Sequence, residues 1–359
     1  MTTERKIEVL VVDDSPVARL LLVHVLERSP RLHVMGTAGS GAEALAWLEH
    51  RSPDAIVMDV HMPGLDGYET TRRIMATSPV PIVICSAEFD PAEVANTFRA
   101  LDAGALAATP KPVGPEHPDY ESAAARLIEA VVLMSEVRVV KRWTRARRLP
   151  ALEVASNFFA DVPQILAIGT STGGPPVLRT LLAGLPKTFP IPVLIVQHIA
   201  SGFLPGFVAW LGETTGFSVQ IAAHDQVLQP GQAYLAPDGF HMGVAAGGRI
   251  VLSRLPPENG LRPAVSFLFR SVAAVYGARA IAVLLTGMGK DGAEELKQLN
   301  DLGAITVAQD EESSVVHGMP GEAIRLGAAA HVMAPEKMPA AFAGWAAPAV
   351  RDLRPFAGG

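Results

Sequence analysis

Three residues that lie far apart in the chain have the types of a nucleophile, a base and an orienting carboxylate. Ser171 lies in GTSTG at 169–173, a G-x-S-x-G pattern in which a sharp strand-to-helix turn exposes a nucleophilic serine. His198 follows the apolar run PVLIVQ, and Asp291 lies in LLTGMGKDGA, after another apolar run. Because functional groups gather at the carboxyl ends of parallel strands, we expect the three side chains to converge. Their chain order differs from the Ser, Asp, His order of α/β-hydrolases, so this would be a convergent triad.

Other interpretations of these residues stay open. A glycine-rich turn before a helix also suits phosphate binding, although GTSTG lacks the lysine of a P-loop and the spacing of a dinucleotide site. Asp291 alone would suit a helix N-cap, and His241 or His317 could serve as the base. The glycines of TGMGKDG allow backbone N–H groups near Met288 to form an oxyanion hole.

A second group of polar residues follows the strand-like runs of the first part of the chain. Asp13 and Asp14 end VLVVDD, Asp59 ends AIVMD, Ser86 ends PIVICS and Lys111 lies in TPKP. Three carboxylates in one crevice repel each other unless a cation is present, and Mg²⁺ binds such groups while leaving positions for a phosphoryl oxygen. The lysine and the hydroxyl would then contact that phosphoryl group.

The elements that must position both groups are strands alternating with helices. Five strand-like runs between helical patterns predict a parallel sheet in residues 1–125. From Gln164 a second alternation predicts a doubly wound α/β domain at 161–350, whose mostly parallel sheet carries an antiparallel edge hairpin. Residues 126–160 are expected to form a helical extension and a basic linker, which is either a solvated connector or a docking site for an acidic partner. Its basic residues are Lys141, Arg142, Arg145, Arg147 and Arg148.

Composition restricts the class of protein. Of 359 residues 49% are hydrophobic and 18% charged, and the apolar runs are too short to cross a bilayer. The net charge of -6 disfavours nucleic acid as a partner, and the single cysteine, Cys85, excludes an intramolecular disulfide. The N-terminus lacks the pattern of a signal peptide, so we expect a cytoplasmic protein.

The motifs VVDDS, DVHMPGLDG, CSA and KP, in this order over residues 7–125, resemble the receiver domain of two-component response regulators. The resemblance implies a flavodoxin-like (CheY-like) fold and phosphorylation of Asp59 by a histidine kinase. It implies that Asp13 and Asp14, with Asp59, hold Mg²⁺, and that Ser86 and Lys111 form the phospho-switch.

Two positions of this domain depart from the receiver pattern. Ala108 stands where an aromatic switch residue is usual, which implies a weak or differently wired surface response. His61 stands where related proteins often have Glu, so the lifetime of the phosphoryl group is expected to differ.

The motifs IGTSTGGP, VLIVQHI, YLAPDGFHM, RPAVSFLF, VLLTGMGKDGA and VVHGMPGEA, from residue 164 to about 335, resemble the CheB-type chemotaxis protein-glutamate methylesterases. In that family the positions of Ser171, His198 and Asp291 form the catalytic triad, and those of Thr172 and Met288 lie near the oxyanion. Two departures are Thr170 in place of a common alanine and Ser266 in place of an aspartate. The second is expected to affect only a surface or substrate-side contact.

The resemblance implies hydrolysis of glutamate methyl esters on chemoreceptors, with release of methanol, and deamidation of receptor glutamines. The implied partners are the cytoplasmic domain of a methyl-accepting receptor and a CheA-type kinase, with Mg²⁺ for phosphorylation and no cofactor for ester hydrolysis. Phosphorylation of Asp59 is expected to increase the esterase activity, and we expect a monomer without membrane insertion. Two other functions remain as alternatives: a regulator with vestigial catalytic residues that acts by docking, and a nucleotide-dependent transferase. The stretch MSEVRVVKRW also leaves open a chemosensory pathway with an output other than swimming.

Overall fold

Two sheets of parallel strands form the framework of the chain. The computed structural model describes residues 5–86, 91–137 and 162–347, with the backbone alone at 91–96. These residues fall into two compact units. The basic cluster between Lys141 and Arg148 lies outside the described residues. No helix within the described ranges combines the length and the apolar composition that a membrane span requires.

The N-terminal sheet has five strands in the order β2-β1-β3-β4-β5, and every pairing is parallel. Its strands are β1 (Ile7–Val12), β2 (Leu32–Ala38), β3 (Ala55–Met58), β4 (Ile82–Ser86) and β5 (Ala107–Pro110). Its helices are α1 (Pro16–Glu27), α2 (Gly41–Leu48), α3 (Gly67–Thr77), α4 (Pro91–Ala103) and α5 (Tyr120–Ser135). All residues of β3 and β4 are buried, as expected for strands covered on both faces. The predicted five-stranded parallel sheet is confirmed.

Side-chain caps explain where several of these helices begin. Ser15, Ser40 and Asp66 precede α1, α2 and α3, and the side chain of each accepts a hydrogen bond from a backbone N–H in the first turn. At the other end of the domain, α5 runs past residue 125 to Ser135 and buries Leu127 among other residues against the sheet.

The C-terminal sheet has seven strands in the order β14-β13-β12-β6-β7-β9-β8, again all parallel. Its strands are β6 (Ile165–Thr170), β7 (Val193–Gln197), β8 (Ser218–Ile221), β9 (Gln232–Leu235), β12 (Ala280–Leu284), β13 (Ile305–Gln309) and β14 (His331–Met333). Its helices are α6 (Gly174–Gly184), α7 (Leu204–Thr215), α8 (Val265–Val275), α9 (Ala293–Asp301), α10 (Met319–Arg325) and α11 (Met338–Ala346). The predicted doubly wound α/β class is confirmed.

The predicted hairpin exists, but it is not an edge of the large sheet. Strands β10 (His241–Ala245) and β11 (Arg249–Ser253) pair with each other in a separate antiparallel sheet. β10 packs on α8 because Gly243 has no side chain, and a Cβ there would lie 2.9 Å from the Ser271 Oγ. Ser271 also accepts a hydrogen bond from the Val244 N–H at 3.0 Å, so a helix satisfies a strand donor.

In both sheets the order in which successive strands are added reverses beside the candidate residues. In the N-terminal sheet β1 lies between β2 and β3, and in the C-terminal sheet β6 lies between β7 and β12. Crevices at such switch points, beyond the carboxyl ends of the strands, are where open α/β sheets bind ligands. Ligand-binding residues are therefore expected directly after β1, β3, β6, β7 and β12.

Candidate functional site

The acidic residues of the N-terminal sheet meet where β1 and β3 end. Asp13 and Asp14 follow β1, Asp59 follows β3, and the Asp59 N–H donates to the Val12 carbonyl at 2.8 Å. One carboxylate oxygen from each of the three aspartates lies within 4.8 Å of those of the other two, with Asp13 and Asp59 buried and Asp14 exposed. Oxygen donors at this spacing fit a hard divalent cation such as Mg²⁺.

Lys111 lies against the same carboxylates. It follows β5, and its Nζ is 2.6 Å from Asp13 Oδ2 and 3.1 Å from Asp59 Oδ2. Its backbone N–H donates to the carbonyl of Ser86, the last residue of β4, whose side chain is buried. The structure thus places all five predicted residues of this group at one edge of the sheet.

Burial and charge shift the pKa values of this pocket in defined directions. Burial is the largest influence on Asp59 and, with the nearby Asp13 charge, raises the pKa of its carboxyl although Lys111 acts in the opposite direction. Burial also opposes the charged form of Lys111, but its hydrogen bond to Asp13 and the charges of Asp59 and Asp13 outweigh this and raise its pKa. Lys111 therefore stays charged, while burial disfavours the ionised form of the neighbouring Asp59 carboxyl.

Ser171 occupies the turn that the G-x-S-x-G pattern predicts. It directly follows β6, it is half-buried, and its carbonyl accepts a hydrogen bond from the Gly174 N–H at 2.9 Å as α6 begins. Gly173 has φ +78°, a conformation that favours glycine. Gly169 is needed for another reason, because a Cβ there would lie 2.4 Å from the Val265 Cγ1 of α8.

His198 stands at the corresponding position of the neighbouring strand. Thr170 and Gln197, the last residues of β6 and β7, are paired in the parallel register. Ser171 and His198 are therefore the first residues beyond a paired position on adjacent strands. His317, a competing base, lies in the loop after β13 and forms an isolated bridge with Gly287, in the loop after β12. His198 is the histidine that directly follows a strand paired with β6.

Asp291 caps a helix, but not the helix that it precedes. It lies in the loop between β12 and α9 and is 4% exposed. Its Oδ2 accepts the Val265 N–H at 2.6 Å and its Oδ1 accepts the Ser266 N–H at 3.0 Å, both from the first turn of α8. The first turn of a helix favours negative charge. The carboxylate is thus held with a fixed orientation at the carboxyl end of β12.

The loop that contains Met288 is fixed from several sides. The Leu285 N–H donates to the Gly169 carbonyl at 2.9 Å, and the Thr170 hydroxyl donates to the Thr286 carbonyl at 3.1 Å. The Thr286 N–H donates to the buried Gln309 side chain at 2.8 Å. The threonine that departs from the family pattern at 170 therefore links β6 to this loop, while the Met288 side chain remains 41% exposed.

The surface contact expected of Ser266 was wrong, because this residue is buried. Ser266 is 5% exposed, its N–H donates to Asp291, and its Oγ accepts the Gly292 N–H at 3.0 Å. No sequence pattern indicates this contact, because the two segments are brought together only by the fold. Gln309, whose side-chain oxygen accepts the Thr286 N–H in the Met288 loop, was not predicted either.

Comparison with known proteins identifies relatives of the whole chain. A family model described as CheB methylesterase matches residues 166–342, and one described as response regulator receiver domain matches residues 9–118. The chain is 53% identical to a protein-glutamate methylesterase/protein-glutamine glutaminase of Nitrosospira multiformis, over 93% of this chain and 96% of that one. It is also 53% identical to a protein of that name, numbered 4, from Geobacter metallireducens, over 92% and 96%. A crystal structure of the Thermotoga maritima CheB methylesterase catalytic domain matches at 38% identity over 50% of this chain and 97% of that one, with a TM-score of 0.49.

Proposed function

Because the chain belongs to the CheB methylesterase family and contains a response regulator receiver domain, we propose that it is a phosphorylation-activated protein-glutamate methylesterase and glutaminase. Its substrates are glutamate methyl esters and particular glutamines on the cytoplasmic domain of methyl-accepting chemoreceptors. The phosphodonor is a CheA-type histidine kinase, so the reaction takes place in the cytoplasm. The proposal is supported most by the register of β6 and β7, which aligns the residues before Ser171 and His198.

The proposed ester hydrolysis proceeds through an acyl-enzyme. His198 takes the proton of the Ser171 hydroxyl, whose oxygen forms a bond to the ester carbonyl carbon. The resulting oxyanion accepts hydrogen bonds from backbone N–H groups near Thr172 and Met288. The bond to the methoxy oxygen then breaks, and His198 returns the proton so that methanol leaves. A water molecule, deprotonated by His198, attacks the acyl carbon. The bond to the Ser171 oxygen then breaks as His198 gives the proton to that oxygen, which releases the glutamate and restores the serine hydroxyl.

Asp291 supports this sequence by orienting the base. A buried carboxylate that accepts an imidazole N–H fixes the tautomer and stabilises the imidazolium formed during attack. The two N–H bonds from Val265 and Ser266 support this role, because they fix the plane of the Asp291 carboxylate. Deamidation follows the same path with ammonia as the leaving group.

Phosphorylation of the receiver domain regulates the proposed activity. Asp59 accepts the phosphoryl group, while Asp13, Asp14 and Asp59 are the residues that would hold Mg²⁺. Mg²⁺ held by these carboxylates would supply positive charge to the phosphoryl transfer. Lys111, already 3.1 Å from Asp59, contacts a phosphoryl oxygen, and the Ser86 hydroxyl donates to another.

The test is methanol release from a methylated receptor fragment by the full-length protein. Ser171→Ala should abolish release, whereas Ser218→Ala, at an exposed serine of β8, should leave it unchanged. A phosphodonor should raise the rate of the wild-type protein and leave that of Asp59→Asn unchanged. Undiminished release by Ser171→Ala would contradict the nucleophile, and equal stimulation of Asp59→Asn would contradict the regulation.

A further inference from the structure

A buried histidine outside the proposed triad contacts the helix that holds Asp291. His241 begins β10 and is fully buried. Its Nδ1 lies 3.3 Å from the Ala264 N, and its Nε2 lies 3.1 Å from the Pro256 carbonyl oxygen. Because a carbonyl oxygen can only accept, Nε2 carries the proton and Nδ1 accepts the Ala264 N–H. Both ring nitrogens are therefore occupied by backbone groups, which excludes His241 as the general base.

The hydrogen bond to Ala264 continues directly into the bonds to Asp291. Ala264 is the N-cap residue of α8, and its side chain makes no capping hydrogen bond. The three consecutive N–H groups from Ala264 to Ser266 are instead satisfied from outside the helix, the first by His241 and the next two by Asp291. A helix start with three consecutive N–H donors held in this way has a fixed position.

The packing around Val265 leaves little space for the first turn of α8 to shift. A Cβ built on Gly169 of β6, or on Gly292 beside Asp291, would lie 2.4 Å from the Val265 Cγ1. Val265 thus packs between the strand that precedes Ser171 and the loop of Asp291. The His241 ring also stacks on Phe267, the third residue of α8, with ring centroids 4.8 Å apart and an interplanar angle of 18°.

We propose that His241 is a positioning residue for the hydrolysis, which acts by fixing the first turn of α8 and through it the carboxylate of Asp291. The inference rests on the proposed function, because it assumes that Asp291 orients the catalytic base. It assigns a role in the reaction to a residue whose two ring nitrogens are both bonded to backbone groups. A misplacement of about 1 Å in catalytic geometry can reduce a rate by about 100-fold.

Two substitutions separate this role from a general contribution to packing. In His241→Asn the side-chain Oδ1 can take the place of Nδ1 and accept the Ala264 N–H. In His241→Gln the amide reaches the place of Nε2 and the acceptor at the δ position is lost. Both variants lose the ring and its stacking on Phe267. If His241 contributes only to packing, kcat should fall by similar factors in the two variants. If it positions Asp291, kcat should fall much further in His241→Gln than in His241→Asn.

The measurements are kcat and KM for methanol release by the full-length protein, together with the thermal unfolding midpoint. His241→Gln should lower kcat by about 10- to 100-fold with little change in KM, and His241→Asn should recover most of the wild-type kcat. The control is His224→Gln, since the exposed His224 also accepts a backbone N–H through Nδ1, from Leu252 at 3.1 Å, but has no bond to α8. Its kcat should match that of the wild-type protein.

Equal losses of kcat in His241→Asn and His241→Gln, or a wild-type kcat in His241→Gln, would overturn the proposal. Hydrogen exchange over residues 262–275 adds a readout that does not depend on activity: the first turn of α8 should exchange faster in His241→Gln than in His241→Asn, and equal exchange would count against the role. Ser171→Ala is measured alongside. Loss of methanol release in that variant together with an unaffected His241→Gln refutes the role of His241 alone, whereas release by Ser171→Ala refutes the proposed function.

Discussion

The substitution Asp291→Asn should destabilise α8, in addition to any effect on the proposed orientation of His198. Each oxygen of Asp291 accepts one backbone N–H, from Val265 at 2.6 Å and from Ser266 at 3.0 Å. Asparagine has the same shape but only one acceptor oxygen, and its amide group would face the other N–H donor. One of the two buried N–H groups therefore loses its partner.

The expected cost follows from these two contacts. Leaving a buried backbone N–H unsatisfied costs about 1–3 kcal/mol. Removing a negative charge from the start of a helix costs up to about 2 kcal/mol in a buried position. We therefore expect the free energy of unfolding to fall by about 1–5 kcal/mol, or about 3–15 °C in the unfolding midpoint at about 3 °C per kcal/mol for a domain of this size.

The assay combines urea unfolding with hydrogen exchange over residues 262–275. The matched control is Asp310→Asn, because Oδ1 of Asp310 accepts both the N–H and the hydroxyl of Ser313, and asparagine keeps one such oxygen. The control should lose less than about 0.5 kcal/mol. If Asp291→Asn were no less stable than the control, and α8 exchanged at the wild-type rate, the capping role of Asp291 would be refuted.

Three further outcomes are expected. Thr170→Val removes the hydroxyl that donates to the Thr286 carbonyl at 3.1 Å, so the free energy of unfolding should fall by about 1 kcal/mol in urea, and an unchanged value would contradict the link. Burial raises the pKa of Cys85 to about 12, so iodoacetamide should label it only after unfolding, and rapid labelling of the native protein would show that it is accessible. The His331 ring packs against Trp345, with ring centroids 4.8 Å apart, and burial lowers its pKa below the unfolded value of about 6.5. Protonation then favours unfolding, so stability should fall as the pH drops from about 7.5 to about 5.5, and His331→Phe should weaken that dependence; an identical slope in both proteins would refute this cause.

The arrangement of strands was predictable because it depends on local patterns. Short buried apolar runs such as β3 and β7 lie between amphipathic helical segments, and this alternation leaves few alternatives to parallel sheets. Asp13, Asp59 and Lys111 were predictable as a group for the same reason, since each follows a strand and the ends of parallel strands meet at one edge.

The contacts made by pairs of distant loops were not predictable. Asp291 has the sequence context of an N-cap for α9, yet its carboxylate caps α8, which lies earlier in the chain. Ser266 and His241 were misjudged or left open because their partners are backbone groups, which carry no signature in the sequence. The hairpin was placed at the sheet edge because nothing local indicates that Gly243 packs on α8.

The central claim is that Ser171 forms a covalent acyl-enzyme, and trapping that intermediate tests it most directly. Hydroxylamine is added to the full-length protein with a methylated receptor fragment, and glutamyl hydroxamate on the fragment is measured by mass spectrometry. The account predicts hydroxamate in proportion to methanol release by the wild-type protein, and only the uncatalysed background with Ser171→Ala. Hydroxamate formed by Ser171→Ala at the wild-type rate would contradict the account.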